Sequence, residues 1–309
     1  MVDRVLVTGS SGFLGGHIVR RLANAGYGVD AVDIVQPTSS VPAQFIHDDA
    51  RNVLAARERE YEAIFHFAAV VGGREHIDSS PLAIAANHAI DQAVFEHLAS
   101  GASARVVYPS SSAVYPIDRQ RKLGQPPLRE SEVDAVRGPI GIPDTTYGWT
   151  KLTAEFLAGL LQARGEGTTA IYRPFSVYGP DQLSSYPVTA ILERALRRED
   201  PLVIWGSGDQ HRDFVYIEDF LDVVLGTYKT LDANTPMNIA TGLPTSFVTV
   251  AQIAADVVGY EPRILTEPER PEGVLWRVGS PDSIPTSVKP RTSLNDGLSR
   301  VLENLASHA

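Results

Sequence analysis

No cysteine occurs in the 309 residues of this chain. Disulfides, zinc–thiolate sites and thiol nucleophiles are therefore excluded. Long apolar runs are also missing, none approaching the roughly 18 residues of a membrane span. The glycine turn that begins at Gly9 comes too early to leave room for a signal peptide. A cytoplasmic protein with no membrane partner is expected. Positive charge is scarce: 27 Lys and Arg stand against 37 Asp and Glu, a formal net charge of -10. That balance disfavours a broad nucleic-acid surface, so an anionic ligand must be held by a few placed groups. His88 and His97 have no Asp, Glu or His neighbours at metal-ligand spacing, and no metal is expected.

What is present supports a full core, with 43% hydrophobic and 21% charged residues. The apolar run Val5-Leu6-Val7 leads into Thr8-Gly9-Ser10-Ser11-Gly12-Phe13-Leu14-Gly15, after which Ile18 and Leu22 share a helical face. At such a strand-to-helix turn, glycines let the backbone approach a pyrophosphate, and the helix offers unpaired N–H groups and a positive dipole end. A second strand is expected over Val29 to Ile34. Asp33 stands about 20 residues beyond the glycines, where a carboxylate accepts the adenosine ribose hydroxyls. Ile34-Val35-Gln36 offers no arginine for a 2′-phosphate, which favours NAD over NADP. Asp49 caps the next helix or touches the adenine.

Ala63 to Ala69 reads as a buried parallel strand, and the small pair Ala68-Ala69 permits close approach of a cofactor at its carboxyl end. Arg74 follows on a glycine-bearing loop on the ligand side. Residues 81–99 read as one helix. A further strand, Arg105 to Tyr108, runs into Ser110-Ser111-Ser112, and no G-x-S-x-G elbow surrounds these serines. Residues 116–144 are too long for an inert loop and are expected to form a lid or partner-contact segment. Tyr147 and Lys151 are four apart on the next helix, hence on one face. A tyrosine near neutrality needs a shift of roughly three pKa units, about 4 kcal/mol. A close ammonium and an oxidised nicotinamide are expected to supply it.

Taken in this order, TGSSGFLG, PSSSAVYP, YGWTK, RPFSVYGP and GSGDQHRDFVYIED make the chain resemble the extended short-chain dehydrogenase/reductases, specifically the nucleotide-sugar epimerases and dehydratases. The likeness covers nearly the whole length. It implies an α/β fold with a Rossmann-like, doubly wound parallel sheet and a smaller α/β carboxy-terminal substrate-binding portion. Residues 1–175 would hold NAD and 176–309 the nucleotide sugar, with segments partly interwoven. It implies Tyr147 as general base, Lys151 as ribose ligand, and Ser111, four before Tyr115, as the third catalytic residue. Cofactor contacts would come from Gly9, Gly12, Phe13, Leu14, Gly15, Asp33, Asp49, Ala50, Ala68, Ala69, Tyr147, Lys151 and Pro174. Gly73, Arg74, Ser112, Ser176, Arg212 and Arg270 would serve a nucleotide-diphosphate sugar. A homodimer through residues 81–99 and 146–162 is also implied.

Departures from the family pattern narrow the reaction. Dehydrating relatives carry an Asp-Glu pair where Ser112 and Ala113 stand, and decarboxylating relatives keep the Glu. Residues 69–73 and 111–116 are similar to GDP-fucose synthases and GDP-mannose 3,5-epimerases, which use a cysteine where this chain has Ala113. Ser176 replaces the usual Asn, and Arg270-Pro271-Glu272-Gly273 only partly matches the usual phosphate-binding run. The expectation is a redox-neutral NAD-dependent C4 epimerase. The alternatives are a dehydratase, a net NAD(P)-dependent dehydrogenase/reductase, or a non-catalytic NAD-binding regulator.

Overall fold

The computed structural model describes residues 3–38, 40, 42–56, 58–72 and 74–307, with Arg74 and His76 described in their backbone alone. The chain begins β1 (Arg4–Thr8), α1 (Phe13–Asn24), β2 (Gly28–Asp33), β3 (Gln44–His47), α2 (Ala50–Ala56) and β4 (Ala63–His66). Helices α3 (Arg74–Ser79), α4 (Pro81–Ala85) and α5 (Asn87–Ala99) precede β5 (Arg105–Pro109), α6 (Thr145–Ala163) and β6 (Thr168–Pro174). After these come β7 (Ser176–Tyr178), α7 (Pro187–Leu196), β8 (Leu202–Trp205), β9 (His211–Tyr216), α8 (Ile217–Thr227) and β10 (Met237–Ile239). The chain closes with β11 (Pro244–Ser246), α9 (Phe247–Val258), β12 (Ile264–Glu267), β13 (Trp276–Arg277) and α10 (Leu294–Ser307).

Seven strands form one sheet in the order β10-β6-β5-β4-β1-β2-β3, every pair parallel. Helices cover both faces, which explains why Val5, Leu6 and Val7 are all apolar rather than alternating: no face meets water. Strand order reverses at β1, whose neighbours are β2 and β4, and the crevice at that reversal opens beside the glycine turn. The remaining strands form smaller sheets, β9 pairing with β7, β11 and β13, and β8 with β12. The seventh strand of the large sheet, β10, comes from the second half of the chain and pairs with β6. No helix is long and apolar enough to cross a membrane among the described residues.

Two local expectations change. Residues 81–99 form two helices that divide at Ala86, and buried Asn87, the first residue of α5, clamps Val70, accepting from its N–H at 2.6 Å and donating to its carbonyl at 2.9 Å. Residues 116–144, expected as a lid or partner-contact segment, pack against the body of the chain. Leu128 and Val133 are buried against Phe175 and Ala240, and Leu128 exchanges backbone hydrogen bonds with Val278 and Ser280. Buried Arg173 donates to the Glu130 and Val133 carbonyls at 3.1 and 2.8 Å, so the segment straps both halves together.

Candidate active site

The glycine turn is shaped by close approach. Gly9 has φ +69°, and a Cβ there would lie 2.5 Å from the Ala68 nitrogen; a Cβ on Gly15 would lie 2.0 Å from the Gly9 carbonyl oxygen. Only glycine fits at either position. No side chain caps α1 at Gly12 and no acid occupies its first turn, so the N–H groups of Phe13 and Leu14 keep their positive end for an anion. Asp33, at the end of β2, accepts from Ser11 N–H through Oδ2 and from Val35 N–H through Oδ1, both at 2.9 Å. Each oxygen keeps a lone pair for a ribose hydroxyl. These features fit a dinucleotide on protein grounds alone. Ala68 and Ala69 follow β4 and Pro174 ends β6, all at the carboxyl edge of the sheet.

Asp49 takes the helix-cap role. It accepts from Arg51 N–H at 2.9 Å and holds the Arg51 guanidinium at 3.0 and 2.6 Å, which keeps its carboxyl below the usual range; Ala50 opens α2 behind it.

A cavity of about 680 Å³ lies between the sheet edge and the second half, walled by Ser111, Ala113, Tyr147, Ser176 and Arg212. The three serines separate. Ser110 donates to buried Glu155, Ser111 faces the cavity and accepts from Ala113 N–H at 3.0 Å, and Ser112 is buried away from it. Ser112, expected as a substrate contact, is buried in the tight turn that begins after Ser111 and is not among the residues lining this cavity. Gly73 lies outside the described residues, as does the side chain of Arg74. Arg270 does not line the cavity; its guanidinium stacks 5.0 Å from the Trp205 ring and pairs with Glu267 at 3.4 Å. The turn linking Arg270 to Glu267 directs it there.

Tyr147 and Lys151 share a face of α6, with Lys151 Nζ 5.8 Å from the Tyr147 ring centroid and 4.5 Å from that of Tyr108. Burial raises the Tyr147 phenol, Tyr186 and Asp91 add to this, and the Ser111 hydroxyl opposes it. Burial lowers the Lys151 ammonium, and Asp91 and Glu155 counteract that. Protein groups alone thus favour the protonated Tyr147 phenol, chiefly through its burial, with Tyr186 and Asp91 adding to it.

Two arginines missed in the sequence also reach the cavity. Arg194 on α7 bonds the Val203 carbonyl, and Arg277 donates to Gln120 at 2.5 Å and Asp144 at 2.7 Å. Arg194 could have been found by helical phase, being apolar-flanked on the inward side of α7. Arg277 carries no local signal. Arg212 stacks 5.7 Å from the Phe247 ring and donates to the His211 carbonyl at 2.9 Å.

The NAD dependent epimerase/dehydratase family matches residues 5–240. Among curated proteins, the chain is similar to the GDP-L-fucose synthase of Sinorhizobium fredii, at 26% identity over 99% of this chain and 96% of that protein. It is equally similar to the UDP-glucose 4-epimerase of Mycolicibacterium smegmatis, at 26% identity over 97% of each. Among solved structures, MoeE5 in complex with UDP-glucuronic acid and NAD superposes with a TM-score of 0.84 at 30% identity, over 99% of this chain and 100% of that one. The glycine turn, Asp33, Tyr147 and Lys151 lie within the matched span, and the chain belongs to the NAD dependent epimerase/dehydratase family, with NAD as its cofactor.

Proposed function

We propose that this protein is a nucleotide-sugar C4 epimerase that uses NAD without net consumption. The observation that carries the reading is the cavity wall around Tyr147. Its carboxylates are engaged or peripheral: Asp144 is held by Arg277, Glu272 by Ser207, and Glu75 sits exposed at the start of α3. Ala113 beside Ser111 has no ionisable group. A wall whose phenols are Tyr147 and Tyr186, and whose described carboxylates are held or peripheral, suits reversible oxidation of one carbinol and disfavours elimination of water.

In this reading Ser111 and Tyr147 bond the sugar hydroxyl, and Tyr147 holds its proton while the sugar is oxidised. Lys151 binds the nicotinamide ribose. Bound NAD supplies a hydride acceptor and donor, and its positive ring favours the Tyr147 phenolate. Arg212, with Arg194 nearby, balances the diphosphate, and Ser176 contacts the sugar. The 680 Å³ of the cavity leaves room for a keto sugar to present its other face. The relatives named above act on or bind UDP- and GDP-sugars, which supports the substrate class. A cytoplasmic homodimer fits, since Trp149, Phe156 and Leu160 on α6 are exposed apolar groups.

The test is incubation with UDP-, GDP- and dTDP-hexoses, following sugar interconversion and NADH together. Interconversion without NADH change is expected. Tyr147→Phe should retain NAD and lose about 10²- to 10⁴-fold in kcat. Accumulation of a 4-keto-6-deoxy sugar, or steady cofactor turnover, would overturn the reading.

A further inference from the structure

A chain of buried hydrogen bonds runs from the glycine turn to the neighbourhood of Lys151. Ala68 N–H donates to Thr8 Oγ1 at 3.3 Å, Thr8 Oγ1 and His66 Nδ1 are 2.8 Å apart, and His66 Nε2 is 3.2 Å from Asp91 Oδ1. Tyr108 donates its hydroxyl to Asp91 Oδ2 at 2.8 Å. A carboxylate only accepts, so His66 donates from Nε2 and accepts the Thr8 proton at Nδ1, leaving the Thr8 oxygen to accept Ala68 N–H. Every donor points the same way, and the series ends on Asp91.

Asp91 acts on the charge of Lys151, a cation with no side-chain hydrogen bond or ion pair among the described residues. Lys151 Nζ lies over the ring of Tyr108, whose hydroxyl Asp91 binds, and the charges of Asp91 and Lys151 act on each other. The other carboxylate beside Lys151 is already matched. Glu155 receives Arg173 through Nε at 3.0 Å and Nη2 at 2.6 Å, and the Ser110 hydroxyl as well. The titratable and charged groups that interact with Asp91 are His66 on β4, Tyr108 on β5, and Lys151 and Tyr147 on α6, while Glu155 on α6 acts on Lys151 and is paired with Arg173 on β6. Within this set Asp91 balances Lys151.

We propose that Asp91 is a positioning residue of the reaction, whose buried negative charge keeps Lys151 an ammonium and sets the pH range in which Tyr147 and Lys151 act together. The proposal rests on the roles given to Tyr147 and Lys151 above. One anion acts on both groups in the same sense, because it disfavours proton loss from a phenol and from an ammonium alike. Removing it makes both lose their protons at lower pH.

The test uses the NAD-loaded protein and its Asp91→Asn variant, each compared with its Tyr147→Phe counterpart. The difference in tyrosinate absorbance isolates Tyr147 and needs no substrate. Asp91→Asn should move the Tyr147 step down by about one pH unit, a tenfold change in proton affinity. Both limbs of the kcat/KM profile should move the same way, and Asp91→Glu should restore them. Asp91→Ser decides in the same manner should the Asn variant not fold. An unmoved Tyr147 step in a folded neutral variant, with kcat lowered equally at all pH, overturns the proposal and reduces Asp91 to packing. A shifted step in a protein that turns over no nucleotide sugar sustains Asp91 while overturning the proposed function.

Discussion

Arg277, at the end of β13, donates to Asp144 at 2.7 Å and so ties the carboxy-terminal part of the chain to the residue that precedes α6. Asp144 also donates its N–H to the Ala113 carbonyl at 2.9 Å. One carboxylate-bearing residue therefore sets the helix of Tyr147 against the turn of Ser111. Both side chains of the pair are largely shielded, at 14% and 6% exposure, so breaking it strands a charge. Arg277→Met is expected to cost about 3 kcal/mol of stability in denaturant unfolding. It should also lower kcat/KM by on the order of 10- to 100-fold as Tyr147 drifts. Adding Asp144→Asn should recover part of the stability; a double variant no more stable than the single one would refute the pair.

Asp33 serves two masters on the protein side, the Ser11 and Val35 N–H groups. Asparagine keeps one acceptor and turns a donor toward the other N–H. Asp33→Asn should raise the Kd for NAD about tenfold, or about 1.4 kcal/mol by calorimetric titration. An unchanged Kd would remove Asp33 from the cofactor site.

Alkaline pH should unfold this protein through its tyrosines. Tyr108, Tyr115, Tyr172 and Tyr178 are almost fully buried, and burial raises the phenol of each. A group with a raised folded-state pKa contributes stability that is complete below its unfolded value, about 10 for tyrosine, and lost as pH rises above it. The contribution of these tyrosines to the unfolding free energy should be flat up to that pH and fall beyond it. Tyrosinate absorbance from these side chains should appear together with loss of structure. Their ionisation at ordinary pKa in a folded protein would contradict this.

The β1 to β2 unit was fully legible, because a glycine turn, an apolar strand and an acid at its far end are all features of contiguous sequence. The same holds for Tyr147 and Lys151, which the helical repeat alone brings to one face. Residues 116–144 were not: their composition of proline, glycine and charge resembles a mobile loop. Two apolar residues, Leu128 and Val133, with the buried Arg173, make it a fixed strap. Asp91 went unnoticed for a similar reason, since an acid inside an amphipathic helix looks like a solvated one until its partners are known.

Sequence by itself determined the glycine turn after β1 and the shared helix face of Tyr147 and Lys151, since each follows from local periodicity or from residue types within one turn or one strand–helix unit, while the layered α/β fold was implied by the family resemblance. Tertiary structure alone decided which serine faces the cavity, that Arg270 turns to Trp205 while Arg277 turns to Asp144, and that Lys151 is balanced by Asp91. These are matters of partner, not of period. Asp144 and Arg277 are 133 positions apart, and a charge finds its counter-charge only after the order of strands has placed their ends side by side.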